Sequence, residues 1–253
     1  MKYVHFLRRD RAWEGYGVLD GETVHVLDGS YFGTHHQTGE MVDLSQVSLL
    51  APCRVTKAVC VGLNYRDHAM EFKLPIPEKP MLFMKPSTSL LDPFAAIHYP
   101  TGMTSHLDYE GELAVVIGRK AKNVDAKDWK EYVLGYTIAN DVTARDLQPK
   151  TGQWTVAKGF DTFCPLGPVI ETDLDPANLD LCTRVNGEVK QHSNTKNLIF
   201  DVPYLVSYIS HVMTLLPGDI ISTGTPSGIS KLDHGDEVAI TIENIGTLSN
   251  RVD

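Results

Sequence analysis

Two glutamates placed directly in front of an apolar run constrain this chain more than any other feature. Glu110 and Glu112 lead into residues 113–118, whose mostly aliphatic side chains predict a buried strand. Successive strand residues face opposite sides, so we expect both carboxylates on one side, with Cα atoms about 7 Å apart. Buried like charges repel unless a positive charge lies between them, and Mg²⁺ prefers such oxygen ligands. A solvated strand start is the alternative.

A third carboxylate follows a second predicted strand. The largely apolar residues 133–140 predict a strand that ends immediately before Asp141. Asp141 would complete a set of three oxygen donors with the two glutamates. His106 and Asp108 share the parity of the glutamates, but we prefer the other three acids as ligands.

His68 and Glu71 are three residues apart in a polar segment that follows an apolar run. On a helical turn this spacing places both side chains on one face, within hydrogen-bonding reach. A carboxylate beside an imidazole raises its basicity and fixes its orientation, which suits a general base acting on water. A turn of solvated polar residues is the alternative interpretation.

Side chains that could contact a substrate follow Asp141. If residues 141–148 form a helical turn, Arg145 and Gln148 lie on the same side as Asp141. Arg145 offers a planar fork that matches a carboxylate, and Gln148 offers both a donor and an acceptor. A surface ion pair between Arg145 and Asp146 is the alternative.

One lysine and two loops complete the candidate features. Lys158 lies in the apolar and aromatic residues 154–160, and a lysine there either extends to water or serves a site. In the glycine-containing loop 224–228, backbone N–H groups and the Thr225 hydroxyl could approach an anion. Residues 73–80 contain three prolines and are predicted to form a surface loop or lid.

The strand pattern predicts an α+β chain that is mainly β. Short apolar segments alternate with turn signals and helices are few, which is typical of a β-roll or β-sandwich. Residues 1–52 are predicted to form a small β-rich domain, separated at the Ala51–Pro52 pair from residues 53–253. Residues 201–213 predict an amphipathic helix capped by Asp201.

Charge and composition argue against several classes of partner. The net charge of −9, without a basic stripe, argues against nucleic acid, whose phosphates require a basic face. No apolar run approaches membrane-spanning length, so we expect no membrane partner, and the N-terminus lacks a signal-peptide core. The four cysteines have no CxxC spacing, so we expect a reduced, cytoplasmic protein.

The order and spacing of these motifs resemble the fumarylacetoacetate hydrolase family from about residue 55 to the C-terminus. The segments that carry the resemblance are GLNYRDH at 62–68, YEGEL at 109–113, NDVTARD at 140–146 and GDIISTGTP at 218–226. Several separate motifs in the right order are specific, where any one would be weak. The fumarylacetoacetases proper have a further metal-binding acid shortly before the dyad histidine, whereas this chain has Val-Gly-Leu at 61–63. It is therefore more similar to the smaller acylpyruvase-like branch.

The resemblance implies a mixed β-roll and β-sandwich catalytic domain over residues 53–253, preceded by the small extra domain that many bacterial members carry. It also implies a homodimer, a small keto-acid substrate and a divalent ion, Mg²⁺ with Mn²⁺ or Ca²⁺ as alternatives. The residues it assigns are the metal ligands Glu110, Glu112 and Asp141, the catalytic dyad His68 and Glu71, and the substrate contacts Arg145, Gln148, Lys158 and Thr225, with Lys158 also catalytic.

The predicted function is hydrolysis of a carbon–carbon bond in a β-diketo acid of the acylpyruvate or fumarylpyruvate type. In this hypothesis His68 activates water, and the ion and Lys158 stabilise the departing pyruvate enolate. The same chemistry would serve decarboxylation of oxaloacetate-like acids, or isomerisation or decarboxylation of 2-hydroxyhepta-2,4-diene-1,7-dioate in aromatic catabolism. A non-catalytic binding protein with a structural ion is a further alternative.

Overall fold

Strands make up most of the regular structure in the computed structural model, which describes residues 1–71, 73 and 75–253. Numbered in chain order, the strands are β1 (Lys2–Arg8), β2 (Trp13–Asp20), β3 (Thr23–Leu27), β4 (Gln37–Asp43), β5 (Val47–Leu50), β6 (Ala58–Gly62), β7 (Met81–Lys85), β8 (Leu90–Leu91), β9 (Ala96–Ile97), β10 (Leu107–Asp108), β11 (Gly111–Ile117), β12 (Val133–Asn140), β13 (Thr143–Ala144), β14 (Cys164–Glu171), β15 (Asp180–Val185), β16 (Glu188–Asn194), β17 (Ile220–Ser222), β18 (Lys231–Leu232), β19 (Glu237–Ile242) and β20 (Gly246–Val252). The α-helices are α1 (Arg66–Glu71), α2 (Thr155–Lys158) and α3 (Val202–Val212), and 3₁₀ helices span Leu44–Gln46, Ser87–Ser89, Ala126–Glu131, Arg145–Leu147 and Thr195–Asn197. Phe72 and Leu74 lie outside the described residues, so the lid predicted for residues 73–80 stays a prediction.

The described strands form sheets of twelve, three and five strands. The largest has the order β4-β3-β2-β1-β14-β12-β11-β17-β6-β7, with β5 paired to β1 and β8 paired to β14. The smaller sheets have the orders β13-β10-β18 and β16-β15-β19-β20-β9. The mainly β fold predicted from the sequence is confirmed.

The strand that follows the two glutamates lies inside the large sheet. Every residue of β11 is buried, and β11 pairs antiparallel with β12 on one side and β17 on the other. The register places Gly111 opposite Asn140, so the start of β11 and the end of β12 lie side by side. The backbone N–H of Asp141 accordingly donates to the carbonyl of Glu110 at 2.9 Å. Both predicted strands are present, and their acids meet at one end of the pair.

The first 52 residues contribute β1 to β5 to the same sheet as the rest of the chain. β1 pairs with β14, and Lys2 lies opposite Glu171. All residues of β14 are buried, but Pro165 and Pro168 interrupt the apolar pattern of this segment, so its sequence does not predict a strand. The domain boundary at residue 52 stays a prediction.

Helix α3 carries most of the predicted apolar stripe. Asp201 caps the helix by accepting a hydrogen bond from the N–H of Tyr204 at 2.9 Å, and Leu205 and Ile209 are fully buried. Val212, in the last position of the helix, is apolar but 57% exposed. Among the described helices, none has the length and apolar character needed to cross a membrane.

Asp219 fixes the turn before β17 to the segment before β6. Its buried carboxylate accepts from the backbone N–H groups of Thr56, Lys57 and Leu216 at 2.8–3.2 Å. It also accepts from the Thr56 hydroxyl at 2.6 Å and pairs with the Lys57 ammonium. Burial raises the pKa of Asp219, but the hydrogen bonds from Lys57, Thr56 and Leu216 outweigh this effect and hold the pKa below its ordinary value.

We expect Asp219→Ala to lower the free energy of unfolding by about 3 kcal/mol, because it leaves buried donors and one ammonium without an acceptor. Because the folded pKa is depressed, the stabilisation is fully present above the unfolded pKa of about 3.9 and is lost as pH falls through the folded pKa. Urea denaturation across that range measures both effects. Asp219→Asn keeps an acceptor but cannot titrate, so its stability should depend less on pH. Wild-type stability in Asp219→Ala would contradict this interpretation.

Candidate metal centre and active site

Glu110, Glu112 and Asp141 converge where the start of β11 meets the end of β12. One carboxylate oxygen from each residue lies within 4.8 Å of the other two, and all three residues are buried. Side-chain alternation accounts for the two glutamates, and the register of β12 supplies Asp141. The structure therefore brings together the three acids that the sequence predicted as ligands.

Lys158 lies inside this cluster rather than extending to water. Its ammonium nitrogen Nζ is 2.9 Å from Glu110 Oε2 and 2.6 Å from Asp141 Oδ2, and the side chain is 2% exposed. Nζ also lies 4.9 Å from the centre of the Phe83 ring. Burial lowers the pKa of Lys158, but attraction to Asp141 and Glu110 outweighs it, and the pKa lies above its ordinary value. Lys158 is therefore a cation.

The two glutamates experience opposite electrostatic environments. Burial raises the pKa of Glu110, but the charges of Lys158 and Arg145 lower it further, so the pKa lies below its usual range. Burial, together with repulsion from Asp141 and Glu110, raises the pKa of Glu112 to about 8. Glu112 Oε2 accepts hydrogen bonds from the Ser222 hydroxyl at 2.5 Å and the Gly224 N–H at 2.9 Å. These two donors are neutral and do not offset the repulsion.

The donor set fits a divalent cation. All three residues present carboxylate oxygens, the ligand type that hard ions such as Mg²⁺, Mn²⁺ and Ca²⁺ prefer. The raised pKa of Glu112 has its origin in burial and like charge, and a further positive charge would relieve the repulsion. Glu110, Glu112 and Asp141 would hold such an ion.

Arg145 is oriented by three side chains. Its Nε donates to Asp108 Oδ2 at 2.7 Å, one terminal nitrogen donates to Glu110, and the other donates to Gln148 Oε1 at 2.5 Å. The alternative pair with Asp146 does not form, because that carboxylate accepts hydrogen bonds from residues 104 and 105 instead. Arg145 therefore belongs to the cluster.

The helical turn predicted for residues 141–148 is wrong. Residues Thr143–Ala144 form β13, which pairs with β10, and only Arg145–Leu147 form a 3₁₀ helix. Strand pairing overrides the local helical spacing at this point. Arg145 and Gln148 still meet, through their side-chain hydrogen bond rather than through a shared α-helical face.

Lys85 is a buried cation at the site, and it was not among the residues predicted from the sequence. It lies at the end of β7, is 1% exposed, and its Nζ is 2.7 Å from Asp141 Oδ1. The sequence feature that could have indicated it is a lysine at the end of an otherwise apolar strand, on the same side of the strand as Phe83. Ser222 was missed as well, because a hydroxyl at a strand end carries no distinctive pattern.

His68 and Glu71 lie on α1 as predicted, and their side chains interact. Nδ1 of His68 is 3.3 Å from Glu71 Oε2. Glu71 also accepts from the backbone N–H of Gly228, which lies 3.2 Å from Oε1. Gly224, near the other end of the same loop, donates to Glu112. One loop therefore links the His–Glu pair to the acidic cluster.

Thr225 holds this loop to β11. Its hydroxyl donates to the carbonyl of Gly111 at 2.9 Å and accepts from Gln191 Nε2 at 2.8 Å. Gly224 and Gly228 have φ angles of +100° and +98°, a region that favours glycine, so the loop shape depends on both. The substrate contact predicted for Thr225 stays a prediction, since both of these bonds are structural.

The fold and the site together define a class of β-rich proteins. An antiparallel strand pair ends in a buried cluster of carboxylates that could hold a divalent ion, and one loop links this cluster to a His–Glu pair. The family model for the fumarylacetoacetate (FAA) hydrolase C-terminal region matches residues 57–253. A second model, Rv2993c-like, N-terminal, matches residues 1–52. This chain belongs to the fumarylacetoacetate hydrolase family, and the resemblance found in the sequence is confirmed.

Similar proteins carry several different names. Protein Rv2993c of Mycobacterium tuberculosis is 53% identical, over 94% of this chain and 93% of its own length. The mitochondrial oxaloacetate tautomerase Fahd2a of Rattus norvegicus is 45% identical, over 84% of this chain and 71% of its own. The crystal structure of a 2-hydroxyhepta-2,4-diene-1,7-dioate isomerase from Mycobacterium marinum has a TM-score of 0.91 and 46% identity, covering 100% of this chain and 98% of that one. The last two are named as a tautomerase and an isomerase rather than as hydrolases.

We expect the acidic cluster to bind Mn²⁺ or Mg²⁺ and Glu112→Ala to weaken this binding by at least about 100-fold. Residues that merely orient a ligand already change metal affinity by about 10–100-fold, so losing a ligand should cost no less. Titration calorimetry with Mn²⁺ gives the Kd of each variant. Asp125→Ala, which removes an acid whose side chain is 71% exposed, is the control and should bind like the wild type. Unchanged affinity in Glu112→Ala would place the metal elsewhere.

Proposed function

We propose that this chain catalyses the metal-dependent tautomerisation of a small 2-oxo dicarboxylic acid such as oxaloacetate. The observation that carries the proposal is the buried Lys158 ammonium, which contacts two acids of the candidate metal cluster. A cation fixed at this point can stabilise the negative charge that develops on a 2-oxo group when a neighbouring C–H proton is removed. The tautomerase and isomerase names of two similar proteins support the same kind of proton transfer.

Arg145 and Gln148 are the proposed contacts for a substrate carboxylate. Asp108 and Glu110 hold the guanidinium, which fixes the direction of its other donors. A divalent ion bound by the three acids would polarise the 2-oxo group and favour its enol form. Groups already aligned in this way need little reorganisation during the reaction.

His68 is the proposed base, and Glu71 orients its ring. In the keto-to-enol direction, His68 takes a proton from C3 of the substrate. The electron pair of the broken C–H bond forms the C2–C3 double bond, and the 2-oxo group becomes an enolate oxygen beside Lys158. His68 then returns the proton to that oxygen, so the reaction consumes no other reactant.

Hydrolysis of an acylpyruvate is the second candidate, favoured by the His–Glu pair itself. Gly228 holds Glu71, and Glu71 in turn contacts His68, an arrangement that also suits a base acting on water. In that reaction His68 takes a proton from water, hydroxide attacks the distal carbonyl, and the carbon–carbon bond breaks to release a pyruvate enolate. Decarboxylation of oxaloacetate would release the same enolate with carbon dioxide.

We expect the wild-type protein with Mg²⁺ or Mn²⁺ to accelerate the interconversion of enol and keto oxaloacetate, followed by the ultraviolet absorbance of the enol. His68→Ala should retain its fold and its metal but lose activity by about 100-fold, the contribution typical of a general base. His36→Ala, in an exposed loop, is the control and should remain fully active. Full activity in His68→Ala would show that another group moves the proton.

The same preparation separates the candidate reactions. Pyruvate released from acylpyruvates would indicate hydrolysis, and carbon dioxide from oxaloacetate would indicate decarboxylation. Removing the ion with a chelator should abolish turnover while the circular dichroism spectrum persists. Unfolding on chelation, with no turnover of any of these acids, would favour a structural ion. The homodimer implied by the family resemblance is part of this proposal and is testable by sedimentation.

A further inference from the structure

Lys85 is a buried cation to which the proposed reaction assigns no step. It ends β7, the last strand in the order of the large sheet, and is 1% exposed. Its Nζ donates hydrogen bonds to three backbone carbonyls, those of Val142 at 2.8 Å, Lys158 at 2.9 Å and Phe163 at 2.6 Å. A buried lysine with three backbone partners is anchored in one position.

These bonds use the full donor capacity of the Lys85 ammonium group, which has three hydrogens. The additional contact with Asp141 Oδ1, at 2.7 Å, is therefore an ion pair without a hydrogen bond. Consistently, among the described residues none makes a hydrogen bond to Asp141 Oδ1. The other oxygen, Oδ2, faces Lys158. The carboxylate of Asp141 is thus held between two cations, one on each oxygen.

The three carbonyls belong to segments that carry the site. Val142 directly follows the candidate ligand Asp141, and Phe163 directly precedes β14. The Lys158 carbonyl belongs to the residue whose own ammonium contacts the cluster. A single nitrogen atom therefore ties the backbone next to a metal ligand to the backbone of the proposed catalytic lysine.

We propose that Lys85 is a positioning residue that sets the distance and orientation between Asp141 and Lys158. The proposal rests on the metal site and the reaction proposed above, and Lys85 acts through those two residues without touching the substrate. If Lys85 were only a structural lysine, its loss would lower stability and leave metal affinity and turnover per folded molecule unchanged. A positioning role instead predicts a change in both for molecules that remain folded.

The test compares two substitutions at this position with a matched control. Lys85→Arg keeps the charge but replaces the three-fold donor geometry by a planar fork, and Lys85→Met removes charge and donors. Lys57→Met is the control, because Lys57 also pairs with a buried acid, Asp219. Asp219 precedes β17, whereas Ser222, which contacts the acidic cluster, ends that strand. For each protein, urea denaturation gives stability, calorimetry gives the Mn²⁺ Kd, and the oxaloacetate assay gives kcat and KM.

We expect the Lys85 variants to bind Mn²⁺ about 10–100-fold more weakly than the wild type, the range found when groups that orient metal ligands are removed. Their kcat should fall more than their KM changes, because a misplaced Lys158 would mainly weaken stabilisation of the transition state. Lys57→Met should lose stability but keep the wild-type Kd and kcat. If Lys85→Met does not fold, weaker Mn²⁺ binding and a lower kcat in Lys85→Arg alone would support the proposal.

The proposal would be overturned if folded Lys85→Arg had the Kd and kcat of the wild type. It would also be overturned if neither Lys85 variant folded, because Lys85 would then be needed for folding alone. The proposed reaction can be disproved independently of the proposed role of Lys85. If the wild type binds Mn²⁺ but does not accelerate tautomerisation, the comparison of metal affinities still decides the role of Lys85.

Discussion

The repulsion among three carboxylates buried at the end of a central strand pair is the constraint on which the rest of this structure depends. Two like unit charges about 5 Å apart repel by about 3 kcal/mol at an effective dielectric constant of about 20. Three such pairs would cost about 10 kcal/mol, which is comparable with the whole net stability of a typical domain. The pKa of Glu112 is raised to about 8, so below that pH this carboxyl loses its charge and much of the cost is avoided. The charges of Glu110 and Asp141 can be buried together because both carboxylates contact cations.

Those cations come from three separate parts of the chain. Lys158 ends α2, Arg145 begins a 3₁₀ helix, and Lys85 ends β7. Each reaches the acids only when its own segment is packed against the end of the β11–β12 pair. An arrangement that withdrew one cation would leave a buried carboxylate with one cationic partner instead of two, which weakens the compensation for its burial. The charge balance therefore favours the one packing in which all three segments meet, and the same packing assembles the site.

The sequence predicted the part of the site that depends on local periodicity. Strand alternation places Glu110 and Glu112 on one side, and the end of an apolar run locates Asp141. Local periodicity marks Lys85 as an unusual lysine in an apolar strand but does not place it beside the acids, because β17 and β6 separate β7 from β11 in the sheet and no local pattern encodes that order. The helical turn predicted after Asp141 failed for the same reason, since pairing of β13 with β10 is a long-range contact. Loop 224–228 is predicted from its glycines to bring backbone N–H groups close to an anion, and the Gly224 N–H does donate to the carboxylate of Glu112, but the identity of that acid depends on long-range packing.

The family resemblance predicts the fold better than the reaction, and the geometry of the site gives a reason. Tautomerisation, decarboxylation and hydrolysis in this chemistry share the enolate of a 2-oxo acid, so the groups that stabilise its charge can be the same. Tautomerisation and hydrolysis differ in the proton that the proposed base would take, from a substrate C–H in the first and from water in the second, and decarboxylation forms the enolate without this step. Here one loop bonds to Glu112 through Gly224 and to Glu71 through Gly228, so a short segment links the charged cluster to the His–Glu pair that contains the proposed base. A change near Gly228 would alter the contact to Glu71 while the contact from Gly224 to the cluster remains, which offers one way for a shared fold to support several reactions.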